Sequence, residues 1–150
     1  MLTEELDIDR TVVLDMGSYS ITAGDGFTTT TGAVIGVKHG GDLNITGTGP
    51  IDANGKTYAA IAMAPGNDAN DIAPAKLTLT GGTLKGNHYG IFGSAATGHG
   101  NTEINITGGS VQSVYGNDNV AIFNPQRTAR SPSAAVRLQA APALKCVPVC

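Results

Sequence analysis

A short strand-like motif recurs along the chain, and this repetition constrains the fold more than any other feature of the sequence. The clearest copies are Leu-Asn-Ile-Thr-Gly at 43–47, Leu-Thr-Leu-Thr-Gly-Gly at 77–82 and Ile-Asn-Ile-Thr-Gly-Gly at 104–109. A weaker copy, Val-Val-Leu-Asp-Met-Gly, lies at 12–17, and a half-copy lies at 6–9. Units this small cannot bury an apolar face alone, so we expect them to stack on one another.

Each copy alternates apolar and polar residues with a period of two, which predicts a strand with one buried and one solvated face. The glycines that follow allow a tight bend, after which an apolar residue returns at Ile51, Leu84 and Val111. The predicted buried residues are Leu43, Ile45, Leu77, Leu79, Ile104 and Ile106, and the predicted solvated ones are Asn44, Thr46, Thr78, Thr80, Asn105 and Thr107.

A second strand is predicted in each unit, at 33–37, 59–63, 89–92 and 120–123, with turn residues (Gly, Asn and Asp) between the strands. Stacking in equal register makes Leu43, Leu77 and Ile104 vertical neighbours. The predicted fold is therefore all-β, a parallel β-helix of about four coils that is truncated and ends in an irregular C-terminal tail. A hairpin sandwich, which also consists of short strands and turns, is the alternative.

Two stretches resemble a known family. The string at 77–84, followed by Tyr-Gly-Ile-Phe at 89–92, resembles repeats of right-handed parallel β-helix proteins of the pectin-lyase-like superfamily. Residues 12–22 resemble the opening coil of large bacterial surface proteins in that family, and the resemblance covers 6–126. It implies a right-handed coil and an extracellular or cell-surface location. The family includes lyases, polygalacturonases, carbohydrate-binding proteins and adhesin-like proteins, so the resemblance selects no single activity.

Composition excludes several classes of partner. Charged residues are 14% of the chain, against roughly 25% in ordinary globular proteins, and the formal net charge is −3. A basic footprint for nucleic acid is therefore absent. No apolar run approaches the roughly 20 residues of a membrane-spanning helix, so we predict no membrane insertion. The acidic first ten residues do not form a secretory signal as written.

The composition changes sharply after Gln126. Residues 127–150 lack glycine and gain Ala, Arg, Pro and the two cysteines, Cys146 and Cys150. We therefore divide the chain into a repeat region, 1–126, and an irregular tail, 127–150. In one of the two shifted reading frames, a shift of one nucleotide near Arg127 lets the codons encode another strand, a Gly-Gly bend and a second strand. The other shifted frame cannot encode this pattern. The tail is thus interpreted as a disordered segment or an out-of-frame continuation of the next coil, which the nucleotide sequence of the gene would decide.

Acidic turn residues are the candidate metal ligands. Asp68 and Asp71 lie in the insertion at 67–74, and Asp118 lies in Gly-Asn-Asp-Asn at 116–119. Calcium binds six to eight oxygens, and these loops offer some of them, so calcium is the one cofactor considered. The spaced pattern of a calcium-binding loop is missing, and turn formation is the simpler interpretation.

Tyr89, Tyr115 and His99 are the candidate ligand-binding residues. The two tyrosines fall at related points of successive units and could face a sugar from one side, although packing on the next coil is the simpler account. Gly-His-Gly at 98–100 is similar to a motif of polygalacturonases. The paired acids needed for glycoside hydrolysis and the Arg-x-Lys signature that would accompany it are missing, so the histidine is interpreted as a turn residue.

No residue set reaches catalytic quality, and the sequence favours a non-enzymatic protein. The predicted function is an extracellular or cell-surface structural and adhesive β-helix segment, belonging with further coils of a longer parent protein. A carbohydrate-binding module for plant or mucosal polysaccharide or host glycan is the first alternative. A fragment of a pectin-lyase-like lyase or glycosidase is the second.

Overall fold

The computed structural model of the chain is a parallel β-solenoid with three sheets. It describes residues 1–64, 73–93, 102–114 and 120–124, together with the backbone of 136–138. Every strand pairing in it is parallel, and the described residues contain no helix. Antiparallel hairpins are the unit of a hairpin sandwich, so that alternative is wrong and the predicted solenoid is confirmed.

Each pass of the chain contributes one strand to each of the three sheets. The first coil is β1 (Leu2–Glu4), β2 (Leu6–Ile8) and β3 (Thr11–Asp15), and the second is β4 (Ile21–Thr28), β5 (Ala33–Val37) and β6 (Asp42–Thr46). The third coil is β7 (Pro50–Asp52), β8 (Ala59–Met63) and β9 (Ala75–Leu79), and the fourth is β10 (Thr83–Gly86), β11 (Tyr89–Gly93) and β12 (Thr102–Ile106). The last strands are β13 (Ser110–Ser113), β14 (Ile122–Phe123) and β15 (Val136–Leu138).

The sheets follow the order of the coils. The first sheet is β1-β4-β7-β10-β13, the second is β2-β5-β8-β11-β14, and the third is β3-β6-β9-β12-β15. Five strands per sheet slightly exceed the predicted four coils, because the half-copy at 6–9 also forms a strand and the chain beyond Ser110 returns to each sheet. β15 lies within the predicted tail and pairs with β12, and the rest of that tail lies outside the described residues.

The third sheet confirms the stacking that the repeats predict. Leu43 is the register partner of Leu77, and Leu77 is the partner of Ile104. The next interior rung is Ile45, Leu79 and Ile106. The six predicted core residues are at most 1% exposed, because the coils above and below cover each of them.

The central strands of the second sheet, β5 and β8, are buried on both faces. β5 and β8 have the predicted bounds, and all their residues are buried. Ile35, Ile61 and Ile91 form an interior rung. Ala33 and Ala59, which stack on each other, belong to a separate cluster with Ala62 on the other side of the sheet.

The first sheet adds a third strand per coil that the sequence analysis did not predict. Its strands β7, β10 and β13 begin just after the glycine bends, and Ile51 and Leu84 point into the core. Close contact between successive coils at this bend explains why glycine occurs there. A Cβ on Gly81 would lie 2.2 Å from the carbonyl oxygen of Gly47 in the preceding coil, so only glycine fits there.

Candidate functional site

Of the six predicted site residues, Tyr89 is the one that the structure describes. It begins β11 on the second sheet and is partly buried. Asp68, Asp71, Asp118, Tyr115 and His99 lie outside the described residues, so their metal-binding and ligand-binding roles stay predictions.

Tyr89 belongs to a group of aromatic side chains that we call the aromatic ledge. Its ring stacks on Phe92 and Phe123, with centroid separations of 5.6 and 5.1 Å. A second stack joins Tyr58 to His88 at 4.2 Å with an interplanar angle of 17°. The ledge consists of Tyr58, His88, Tyr89, Phe92 and Phe123.

The strand register positions the ledge. Tyr89 is the partner of Ala59, and Phe92 is the partner of Ala62 and of Phe123. The small alanines let the larger rings of the next coil pack against the sheet, on the side opposite the interior. Rings from three successive coils therefore lie along one side of the molecule. Tyr89 and Phe92 pack on the sheet but are only partly buried, so these two rings stabilise the fold and are also accessible to a ligand.

Tyr58 is the most accessible ring of the ledge. It is 56% exposed, and His88 covers one of its faces. Gly32, on the neighbouring second coil, has no side chain to cover the Tyr58 ring. A Cβ added to Gly32 would lie 3.6 Å from Tyr58 Cβ. An exposed aromatic surface beside a hydroxyl and an imidazole can make apolar contact with the C–H face of a sugar and hydrogen-bond its hydroxyls.

A cluster of hydrogen-bond donors surrounds the carboxylate of Glu5, which lies in the link between β1 and β2. Its Oε2 accepts hydrogen bonds from Thr29 Oγ1 and from the Thr30 and Thr31 backbone N–H groups, at 2.8, 2.8 and 3.1 Å. Its Oε1 accepts a hydrogen bond from Thr31 Oγ1. Thr29 Oγ1 is also within hydrogen-bonding distance of the Gly32 N–H, at 2.8 Å. The threonine run at 28–31 therefore forms a nest for a carboxylate.

The donors in this nest change the ionisation of Glu5. Burial alone would raise the pKa of the Glu5 carboxyl, but the hydrogen bonds from Thr31, Thr29 and the backbone outweigh it. The pKa consequently lies below its usual value of 4.5. The carboxylate is supplied by the chain itself and joins the first coil to the second, so we assign it a structural role.

Ion pairs join successive coils on the surface. Asp7 pairs with Lys38 at 3.1 Å, and Asp25 pairs with Lys56 at 2.7 Å, which lowers the pKa of Asp25. Lys85 lies over Asp52 in the register and pairs with it at 3.8 Å. Exposed pairs of this kind contribute little stability, so we regard them as aligning the coils.

The described histidines and acids do not form a metal centre. Among the residues that the structure describes, no group of three or more His, Cys, Asp or Glu side chains could hold an ion. His39 Nδ1 lies 2.8 Å from the backbone oxygen of Ala73, and His88 belongs to the aromatic ledge. Within the same residues, no helix is long and apolar enough to cross a membrane.

No protein-family model, curated protein or solved structure matches this chain.

Tyr58 and His88 were not among the predicted site residues. Both directly precede the second strand of their coil, at Tyr58-Ala59 and His88-Tyr89. An aromatic side chain recurring at that position was the signal that could have identified the ledge. The nest around Glu5 had a signal as well, namely four consecutive threonines separated from a buried strand by one glycine.

Proposed function

We propose that the chain is a structural and adhesive segment of an extracellular or cell-surface β-helix, without a catalytic site of its own. In this proposal it belongs to the pectin-lyase-like superfamily and is continued by further coils of a longer surface protein. Its role is to hold polar and aromatic surfaces at a distance from the body that carries it, where they contact cell or host surfaces.

The observation that carries this proposal is the alignment of like residues on the outward face of the third sheet. Asn44, Thr78 and Asn105 are successive register partners. Neighbouring strands lie about 4.8 Å apart, so the amides and hydroxyls repeat at that spacing along the axis. Because each coil contacts mainly its neighbours, adding coils lengthens the array without changing the packing or the spacing of the existing coils.

The state of the carboxylates also supports a structural role. Glu5 and Asp25 have lowered pKa values, and each carboxylate is held by groups of the adjacent coil. A general acid needs the opposite shift, with the pKa raised towards the working pH. These two carboxylates are therefore better suited to joining coils than to proton transfer.

A pair of assays tests the proposal against its alternatives. The protein is applied to a glycan array and, separately, incubated with pectin and pectate while the absorbance of unsaturated uronide is followed. A structural segment gives neither product nor specific glycan binding, but coated beads adhere to cell or mucosal surfaces. Formation of unsaturated uronide would instead support the lyase alternative.

The aromatic ledge favours carbohydrate binding as a second candidate function. The Tyr58→Ala variant tests it, with Tyr19→Ala as the control, because Tyr19 is 81% exposed and lies outside the ledge. A contact with one aromatic ring contributes about 0.5–1.5 kcal/mol, so we expect Tyr58→Ala to weaken glycan binding by roughly 2- to 12-fold. Equal binding by both variants and the parent protein would exclude the ledge as the site.

A further inference from the structure

The turn that follows β7 contains the one Asn-Gly pair of the chain, Asn54-Gly55. It joins the first sheet to the second sheet within the third coil. Both residues have a positive φ, 51° for Asn54 and 68° for Gly55, and the Lys56 N–H donates to Ala53 O at 2.8 Å. Two adjacent left-handed residues closed by such a bond are typical of a type I′ turn, for which Asn-Gly is a preferred sequence.

The Asn54 side chain caps a buried carbonyl group of the second coil. Backbone pairing of β4 with β7 ends at Thr22 and its partner Asp52. The next residue, Ala23, is fully buried, and its carbonyl oxygen accepts a hydrogen bond from Asn54 Nδ2 at 3.0 Å. The amide therefore extends the contact between the second and third coils beyond the last backbone pair. A buried acceptor that loses its donor destabilises the fold, so this contact depends on the amide.

Two acidic side chains lie beside this contact. Asp52 Oδ1 accepts a hydrogen bond from the Asn54 N–H at 2.8 Å, and Asp25 pairs with Lys56 Nζ at 2.7 Å. The contact is therefore suited to an uncharged side chain that donates a hydrogen bond. A carboxylate at position 54 has acceptor oxygens only, so it would face Ala23 O without a proton to donate. It would also add a negative charge next to Asp52.

Asn-Gly is the sequence at which conversion of a side-chain amide to an acid proceeds most readily. The Gly55 nitrogen attacks Cγ of Asn54, a bond forms between these two atoms, and the Cγ–Nδ2 bond breaks. The amide nitrogen leaves as ammonia with the proton that the Gly55 nitrogen loses, and a five-membered succinimide ring remains. Water then opens the ring at either carbonyl and gives aspartate or isoaspartate at position 54. Glycine favours the attack because it has no side chain to obstruct its nitrogen, and both residues are exposed to water.

The hydrogen bond to Ala23 controls access to this reaction. It fixes the side-chain torsions of Asn54, and ring closure requires the amide carbon to rotate towards the Gly55 nitrogen. The hydrogen bond must therefore open before the ring can form. The rate of conversion in the folded protein consequently depends on the fraction of molecules in which this turn is detached from β4.

We propose that Asn54 is a site of spontaneous deamidation, at which the conversion permanently detaches the turn after β7 from the second coil. The loss of ammonia makes the change irreversible, and the charged product cannot restore the hydrogen bond to Ala23 O. The intact hydrogen bond slows the reaction, so the molecules that convert are those whose second and third coils separate at this corner. This inference goes beyond the proposed function and is independent of it, because it concerns the chemistry of one turn.

Peptide mapping of aged protein tests the site. The parent protein is incubated at mildly alkaline pH, with and without urea, and its peptides are analysed by mass spectrometry and with an isoaspartate methyltransferase. We expect the peptide that contains Asn54 to gain the mass of one amide-to-acid conversion and to contain isoaspartate. One hydrogen bond corresponds to a roughly two- to twelvefold change in the open population, so conversion should be faster in urea by at least that factor.

Asn54→Asp reproduces the charge of the product and tests its effect on the fold. Asn105→Asp is the matched control, because Asn105 is exposed on the outward face of β12, where it caps no carbonyl group in the described part of the chain. We expect Asn54→Asp to lower the urea midpoint and Asn105→Asp to leave it close to the parent value. In Asn54→Asp, hydrogen exchange should accelerate in residues 23–28 of β4 and stay unchanged in β9.

Asn54→Gly keeps the contact measurable if Asn54→Asp disturbs the whole fold, as judged by circular dichroism. Glycine adopts the left-handed turn but has no amide to donate or to convert, so this variant should have a lower urea midpoint than the parent and no conversion at position 54. The inference is overturned if Asn54 stays unconverted in the folded protein while it converts in urea, or if the two rates are equal. Equal midpoints of Asn54→Asp and Asn105→Asp would show that the conversion does not detach the turn, which overturns it as well.

Discussion

Single glycine residues determine how closely the coils approach at the bend between the third and first sheets. Gly81 faces a carbonyl oxygen of the preceding coil, and an added Cβ would lie 2.2 Å from it. Gly55, by contrast, has a positive φ of 68° and open space around it. The two glycines are therefore required for different reasons, one by contact between coils and one by local backbone conformation.

This contrast gives a prediction for the same substitution at both positions. We expect Gly81→Asn to destabilise the fold by about 3 kcal/mol, since the overlap is with backbone and cannot relax by a rotamer change. Gly55→Asn should cost less than about 1 kcal/mol, because asparagine adopts the left-handed region readily. Urea unfolding measures both, and equal losses would show that contact between the coils does not explain Gly81.

The nest around Glu5 predicts a pH dependence of stability. The pKa of Glu5 is lowered in the folded state, so the unfolded chain binds the proton more tightly. The contribution of this carboxylate is therefore complete above the unfolded pKa, near 4.5, and is lost as the pH falls through the folded value. We expect the melting temperature of the first two coils to fall in that acidic range.

The Glu5→Gln variant serves as the comparison for this titration. It cannot ionise and presents an amide to the donors of Thr29 and Thr31, so we expect it to be less stable than the parent by roughly 1–3 kcal/mol at neutral pH. The difference should shrink as the pH falls below the pKa of Glu5. A difference that stays constant from neutral to acidic pH would contradict the proposed role of the charge.

At the scale of the strand, adjacent residues of β9 are expected to differ greatly in their contribution to stability. Leu77 is 1% exposed between Leu43 and Ile104, whereas Thr78 lies on the outward face. Leu77→Ala should cost about 2–5 kcal/mol, and Thr78→Ala less than about 1 kcal/mol. Chemical denaturation of the two variants measures the difference, and similar losses would mean that the alternation does not mark the core.

Strands with strong alternation or a continuous apolar run were predictable from the sequence, and the strands of the first sheet were not. β5 and β8 have the predicted bounds, and the predicted interior residues of β6, β9 and β12 are buried. β7 was missed because Pro50–Asp52 contains a single buried residue, Ile51, which defines no periodicity. The sequence nevertheless indicated the return of the chain to the core at that residue.

The candidate site was less predictable than the fold. Tyr89 was among the predicted ligand-binding residues, and its neighbours Tyr58 and His88 were not, because they precede strands and belong to no alternating pattern. Their proximity arises from stacking of the third and fourth coils, which places Tyr58 and His88 at 4.2 Å although they are far apart in sequence. A site that results from register can be recognised only after the register is known.

At the scale of the whole molecule, stability is expected to vary along the axis. The central strand β8 has a neighbour on each side, whereas β2 has one on one side only among the described strands. In a chain of nearest-neighbour contacts, the end coils open before the central ones. Amide hydrogen exchange on dilute protein should therefore be slower in Ala59–Met63 than in Leu6–Ile8, and equal protection would indicate a single cooperative unit.

The sequence also predicts that the chain expressed alone aggregates or folds only in part, because open edges and interior residues are exposed at the ends. A monodisperse monomer with one cooperative melting transition would contradict this prediction.

Chain length varies more at one corner of the coil than at another. Residues 47–49, 80–82 and 107–109 connect the third sheet to the first with three residues each and with glycine packed on the preceding coil, and the first such connection, 16–20, has five residues. The connections from the second sheet to the third are residues 38–41, 64–74 and 94–101, which differ in length. A foreign peptide grafted at the variable corner should leave the scaffold intact, so successive grafts would line up along a single seam and display a chosen epitope at regular intervals.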